Sequence, residues 1–209
     1  MRDAKTELYG GELVTPFERP SRADTVIKAI AQSNLGEILE PETFTMDPVR
    51  AVHSDDFIAF LETAWQEWQD AGFTGEAIAS SWPARRMQSR VPTSIDGKIG
   101  YYALAAETSI TEGTWAAVLA SKDVALTGAK ALHRGEQGVF SLCRPPGHHA
   151  ASDMFGGYCF LNNAAIAAQY LCDQGTKRVA ILDIDFHHGN GTQDIFYAPD
   201  HLISCSLPL

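Results

Sequence analysis

The stretch RVAILDIDFHHGNG, residues 178 to 191, decides how the chain folds. Val179 to Leu182 form an unbroken aliphatic run, and the run passes without a linker into Asp183, Asp185, His187 and His188. An aliphatic run without polar alternation reads as a strand of a parallel sheet buried on both faces. Side chains two residues apart on a strand point the same way, so Asp183, Asp185 and His187 share one face as the strand gives out. Three ionisable groups at the end of a core strand need partners that aliphatic neighbours do not offer. A carboxylate and imidazole set without sulfur suits zinc or a similar divalent ion, in a catalytic more than a structural site. A buried ion-pair cluster is the alternative.

Outward from this stretch, the C-terminal half alternates. GVFSL (138–142) reads as a strand, CRPPGHHAASDMFGGYCF as a loop, a helix starts at about Asn163 with Gly175 as its stop, and HLISCSL (201–207) reads as a further strand. Strands alternating with a helix indicate βαβ units, hence an α/β fold with an open, mostly parallel sheet and helices on both faces. In such sheets ligands bind beyond the carboxyl ends of the strands, where both RPPGHHA and DIDFHHGNG fall. His148 and His149 follow a rigid Pro-Pro-Gly turn, and a tandem pair facing a metal site divides proton transfer and charge stabilisation between its members. His53 before a helix, His133 at a helix end and His201 at a strand start read as structural.

The N-terminal half is helical. RPSRADTVIKAIAQ places Ser21 three residues before Asp24 as a capping pair, followed by Val26, Ile27 and Ile30 at helical spacing. SDDFIAFLETAWQEWQ sets Phe57, Phe60, Leu61, Ala64, Trp65 and Trp68 on one stripe, and both segments read as core helices. A third helix runs from Thr114 through WAAVLASKDVALTGAKALH. Residues 72–113 between them show little periodicity and read as a functional loop.

The chain has 209 residues, 45% hydrophobic and 20% charged, which fits one soluble globular domain. No run approaches a membrane span and no leader-like start is present, so a cytoplasmic protein is expected. Cys143, Cys159, Cys172 and Cys205 are widely spaced, which indicates neither a disulfide framework nor a thiolate zinc site. The net charge of −10 argues against a nucleic-acid partner and fits a cationic substrate better.

With these residues in view, the chain resembles the zinc-dependent histone deacetylase family. FERPSR, VHSDDFIAFL, CRPPGHHA, GGYCFLNNAAIAA and ILDIDFHHGNGTQDIFY carry the resemblance, which runs from about residue 4 to about residue 207. The opening AKTELYGGELVTPFE and the segment SRVPTSIDGKIGYYALAAETSITEGTW are similar to the bacterial acetylpolyamine amidohydrolases. The resemblance implies an arginase-like and deacetylase-like open sheet, and hydrolysis of an acetyl amide by metal-bound water.

It also implies roles for particular residues. Asp185 and His187 match two of three zinc ligands, with ferrous iron as an alternative metal. His149 matches the histidine that takes and returns the proton, His148 its electrostatic companion, and Asp183 the carboxylate behind His148. Asn190 stands behind His149, where the histone-directed members carry Asp. Asp183, Asp185, His187, Ser206 and Leu207 match a structural potassium site, and Phe196 a second monovalent-cation site. Tyr158 matches an aromatic wall of the acyl-lysine tunnel, and Gly157 the neighbouring backbone that meets the scissile amide. Residues 72–113, and 82–113 most of all, resemble an insertion at the active-site entrance that pairs two subunits in a homodimer. Asp96 and Glu107 within it are loop acids placed to meet the distal ammonium groups of an acetylated polyamine, with ordinary solvated carboxylates as the alternative reading.

The family's third metal ligand, an Asp, and its transition-state Tyr match nothing here, and SLPL puts Pro208 where the family pattern has His. The sequence is therefore expected to be one deacetylase domain, residues 1–209, incomplete at its C-terminus. The rival readings are an acetyl-lysine protein deacetylase, a binuclear manganese ureohydrolase and a non-catalytic remnant.

Overall fold

A computed structural model describes residues 3–84, 86–197 and 202–207. His201 and Pro208, singled out in the sequence, lie outside the described residues. The chain opens with an antiparallel hairpin, β1 (Glu7–Tyr9) and β2 (Glu12–Val14), turned at Gly10 and Gly11. Helices α1 (Pro20–Ser33), α2 (Asp47–Arg50), α3 (Asp55–Asp70), α4 (Ile95–Tyr102), α5 (Thr114–His133) and α6 (Asn163–Asp173) follow. The chain then enters β3 (Val179–Asp183), α7 (Asn190–Ile195) and β4 (Leu202–Ser206). β3 and β4 pair in parallel, from Val179 opposite Leu202 to Asp183 opposite Ser206. This is the α/β class with a parallel sheet expected from the aliphatic runs.

The core forms where the periodicity places it. Phe57, Phe60, Leu61, Ala64 and Trp68 of α3 are buried, with Trp65 half-buried beside them. Phe60 stacks on Tyr102 with ring centroids 4.5 Å apart, and Phe155 stacks on Phe160 at 5.5 Å. These aromatics join α3 and α4 to the loop that follows the tandem histidines. Among the described residues no helix is long and apolar enough to cross a membrane.

Five expectations need correction. α1 buries none of its residues, and Val26 and Ile27 face solvent because no described element covers that side. The capping pair does not form either. Pro20 opens the helix, since its fixed φ and absent N–H suit a first turn, so Ser21 lies inside the helix and Arg19 occupies the cap without a side-chain bond.

Residues 72–113 are not an irregular loop. They contain α4, whose Ile95, Ile99 and Tyr102 are buried, and Ala77 pairs with Ile110 across the segment. The sequence hid this helix because Gly97 and Gly100 weaken its propensity. Gly100 is required there, since a Cβ would lie 1.6 Å from the Ser81 carbonyl oxygen.

GVFSL forms no strand, because no described residue supplies a ladder partner. Val139 and Phe140 are exposed, and Ser141 Oγ donates to the Val124 carbonyl of α5. The two-stranded sheet is also not buried on both faces. Val179, Ile181 and Leu202 join the core, whereas Leu182 and Ile203 are each 64% exposed. The open face of β3 borders a cleft of about 670 Å³ shared with Leu132 and Val139, and His148 and Asp185 lie at its edge.

Candidate active site

The two chemically rich loops meet beyond the end of β3. After Pro145, Pro146 and Gly147, the Ala150 N–H donates to the Gly147 carbonyl and closes a turn that presents both imidazoles. The His148 carbonyl then accepts from the N–H groups of Gly191 (2.9 Å) and Thr192 (3.2 Å), which docks the histidine loop on α7.

Each ring finds a different oxygen behind it. His148 Nδ1 lies 2.8 Å from Asp183 Oδ2, and His149 Nδ1 lies 2.5 Å from Asn190 Oδ1. A carboxylate and an amide oxygen only accept, so both rings carry their proton on Nδ1 and leave Nε2 for chemistry. The ring centroids are 4.1 Å apart. Burial pulls the His149 pKa below the usual histidine value and its neighbours His148 and His187 lower it further, while the Asn190 bond opposes this. The lowered pKa favours the neutral ring, the form able to accept a proton.

Asp185 and His187 stand next to this pair. The Asp185 N–H donates to Asp183 Oδ1 at 3.1 Å, the His187 N–H donates to Asp185 Oδ1 at 2.8 Å, and His148 Nε2 lies 4.0 Å from Asp185 Oδ1. Partial burial raises the Asp185 pKa, but the His187 N–H, the adjacent His148 and the His187 ring outweigh it, and the carboxyl ends below its ordinary range.

Asp185 Oδ1 and His187 Nδ1 are 3.3 Å apart. Two donors at ~2.0–2.1 Å from one tetrahedral zinc stand about 3.3 Å from each other, so this pair fits two corners of such an ion. Among the described residues no group of three His, Cys, Asp or Glu is arranged to hold a metal.

The residues matched to monovalent cations are only partly gathered. Asp183, Asp185, Ser206 and Leu207 come together at the end of the β3–β4 pair, where Leu207 N–H donates to the Asp183 carbonyl and Ser206 Oγ accepts from Gly189 N–H. Phe196 sits at the end of α7 in the core.

Gly157 lies against the His149 ring, and both it and Tyr158 have positive φ (54° and 65°). The Tyr158 N–H donates to Thr108 Oγ1 at 2.8 Å, and its hydroxyl donates to Glu7 Oε1 at 2.6 Å. Burial and then the Glu7 bond push the phenol pKa up, which keeps it protonated as a donor.

Glu107 is half-buried and its Oε1 accepts from the Gly157 N–H at 2.7 Å, so this acid holds the loop beside His149. Asp96 is not brought to this cluster. It is exposed on the first turn of α4, where Ser94 and the Gly97 N–H lower its pKa, and it borders a depression lined by Glu67 and Asp70. Glu7, 3% exposed, is the site neighbour that the sequence did not disclose. Nothing in TELYGGELV sets it apart from Glu12; only the hairpin's docking does.

Residues 16–207 match the family model described as the histone deacetylase domain. The chain belongs to the histone deacetylase domain family. An acetylpolyamine amidohydrolase from Mycoplana ramosa is 55% identical over 207 residues, which is 99% of this chain and 61% of that protein. Acetylpolyamine amidohydrolase 2 from Pseudomonas aeruginosa is 52% identical over 94% of this chain and 57% of its own length. The crystal structure of the acetylpolyamine aminohydrolase from Burkholderia pseudomallei is similar with a TM-score of 0.90 at 35% identity, over 99% of this chain and 60% of that one. The chain thus spans about three-fifths of the length of these family members.

Proposed function

We propose that this chain carries the paired-histidine part of a metal-dependent amidohydrolase that removes the acetyl group from acetylated polyamines. The observation that carries the reading is the histidine pair itself. Each ring is fixed through Nδ1 by its own oxygen, and both stand beside the Asp185–His187 pair. Relatives named acetylpolyamine amidohydrolase, 55% and 52% identical, support the substrate class.

A zinc or ferrous ion held by Asp185, His187 and a further ligand would polarise the acetyl carbonyl and acidify the attacking water. The chain's own groups do the rest. His149 Nε2 accepts the water's proton while Asn190 holds the ring's opposite face, and the same nitrogen returns the proton to the departing amine. His148, backed by Asp183, balances the negative charge that develops on the acetyl oxygen. Gly157 and Tyr158 wall the acyl group, and Glu7 and Glu107 make the neighbourhood of Tyr158 negative, which suits a cationic chain.

Potassium at Asp183, Asp185, His187, Ser206 and Leu207 would brace the strand end. Pairing of two subunits through residues 82–113 fits the exposure of Trp82, Met87 and Val91. A cytoplasmic location suits a polyamine substrate.

The test uses the protein as it occurs in the cell, loaded with zinc or iron and assayed on acetylputrescine, acetylspermidine and an acetyl-lysine peptide. Turnover of the polyamines that is lost in His149→Ala supports the proposal. Faster turnover of the peptide makes it a protein deacetylase, and binding without turnover makes it a non-catalytic family member.

A further inference from the structure

Asn162 is fully buried, at 0% exposure, immediately before α6, and every hydrogen-bonding group it owns is engaged. Its side-chain nitrogen donates to the Ala150 carbonyl at 3.1 Å and to Thr192 Oγ1 at 3.0 Å. Its side-chain oxygen accepts from the Ala165 N–H at 3.0 Å and caps α6. Its backbone N–H donates to His53 Nε2 at 2.9 Å, and its carbonyl accepts from Ile166. Exchanging the amide oxygen and nitrogen would set oxygen against the Ala150 oxygen and nitrogen against the Ala165 N–H, so the orientation is fixed by its partners.

The two amide hydrogens reach two different segments. Ala150 follows His149 directly, and Thr192 lies two residues beyond Asn190. The segments joined by Asn162 are therefore the ones that carry the two ends of the His149–Asn190 contact. We infer that Asn162, anchored on Thr192, is the positioning residue that sets the His149–Asn190 hydrogen bond and aims His149 Nε2 at the scissile amide. The inference rests on the proton-transfer role proposed for His149.

A residue that only capped α6 would need the side-chain oxygen alone, and the geometry separates the two roles by atom. Asn162→Asp keeps a capping oxygen and removes both donors. Thr192→Val keeps the shape and the Thr192 N–H bond to His148 but removes one anchor, and Thr192→Ser retains that anchor. None of the three substitutions touches the Gly191 N–H bond to the His148 carbonyl, so the loop is expected to stay docked on α7.

The complete, metal-loaded protein is the material for the test, with acetylputrescine as substrate and selectively ¹⁵N-histidine-labelled samples for the His149 Nδ1–H resonance, assigned by its loss in His149→Ala. In Thr192→Val and Asn162→Asp, kcat is expected to fall by about ten- to a hundredfold through misplacement of the proton acceptor. KM should stay within about twofold, the Nδ1–H resonance should move upfield, and Thr192→Ser should restore both. An unchanged resonance in Thr192→Val and Asn162→Asp would overturn the inference. So would an Asn162→Asp protein whose melting temperature falls while kcat per folded molecule holds, since that outcome marks a cap and nothing more. If the parent protein does not turn over acetylputrescine, the proposed function fails, and the resonance still decides whether Asn162 sets the contact.

Discussion

The side-chain oxygen of Asn190 lies 2.5 Å from Nδ1 of His149, so a neutral amide holds this ring while a carboxylate, Asp183, holds its neighbour His148. An amide orients the imidazole without stabilising its protonated form as a carboxylate would. Asn190→Asp is therefore expected to raise the His149 pKa. The acid limb of the kcat/KM profile should move to higher pH, with activity near neutrality reduced, and a profile that coincides with the parent's would exclude this role for Asn190.

Gly157 packs directly against the His149 ring, where a Cβ would fall 2.0 Å from Cδ2, at a φ of +54° that disfavours any side chain. Gly157→Ala must displace the ring or the loop, and a shift of ~1 Å costs on the order of a hundredfold in rate. Steady-state kinetics of the variant beside its unfolding curve check this: kcat should collapse by far more than stability falls.

His53 is 2% exposed, and burial lowers its pKa to about 4 from 6.5, with the backbone of Ala151 and Ser152 opposing the shift. A buried neutral histidine costs nothing above the unfolded value, where both states are neutral. Below it the unfolded chain takes a proton that the folded chain refuses, and stability falls until the folded pKa is reached. The loss amounts to about 3 kcal/mol between roughly pH 6.5 and 4. Urea unfolding at both ends of that window should show the slope in the parent and a flatter one in His53→Gln.

Glu7 accepts from the Tyr158 hydroxyl and from the Phe17 N–H, which fastens the N-terminal hairpin to the Gly157–Tyr158 turn beside His149. Glu7→Gln keeps an acceptor for the phenol and removes the charge. KM should rise several-fold for acetylputrescine and stay unchanged for a neutral acetamide of similar length, and equal effects on both substrates would assign Glu7 a purely structural part.

Sequence pattern revealed the elements whose environment is set by their own periodicity. The stripe of α3, the long run of α5 and the aliphatic β3 are of this kind. It misjudged elements whose state depends on what lies across from them. Among the described residues GVFSL has strand composition but no partner and α1 has an apolar stripe but no cover, and α4 hides behind Gly97 and Gly100, which close packing on Ser81 requires at Gly100. The candidate site divides in the same way. His148, His149, Asp183, Asp185, His187 and Asn190 come from two short contiguous segments with an unusual density of imidazole and carboxylate, and their meeting follows from strand-end geometry. Glu7 and Asn162 are single residues of ordinary appearance, and only the docking of distant segments gives them a role.

In the proposed mechanism the histidine pair works beside a metal held in part by Asp185 and His187. Metal content and acetylputrescine turnover, measured together on the protein as isolated and on Asp185→Ala, test it most directly. The parent is expected to carry one zinc or iron per active site and to deacetylate the polyamine, and the variant to lose both. A variant that keeps its metal and its rate would contradict it.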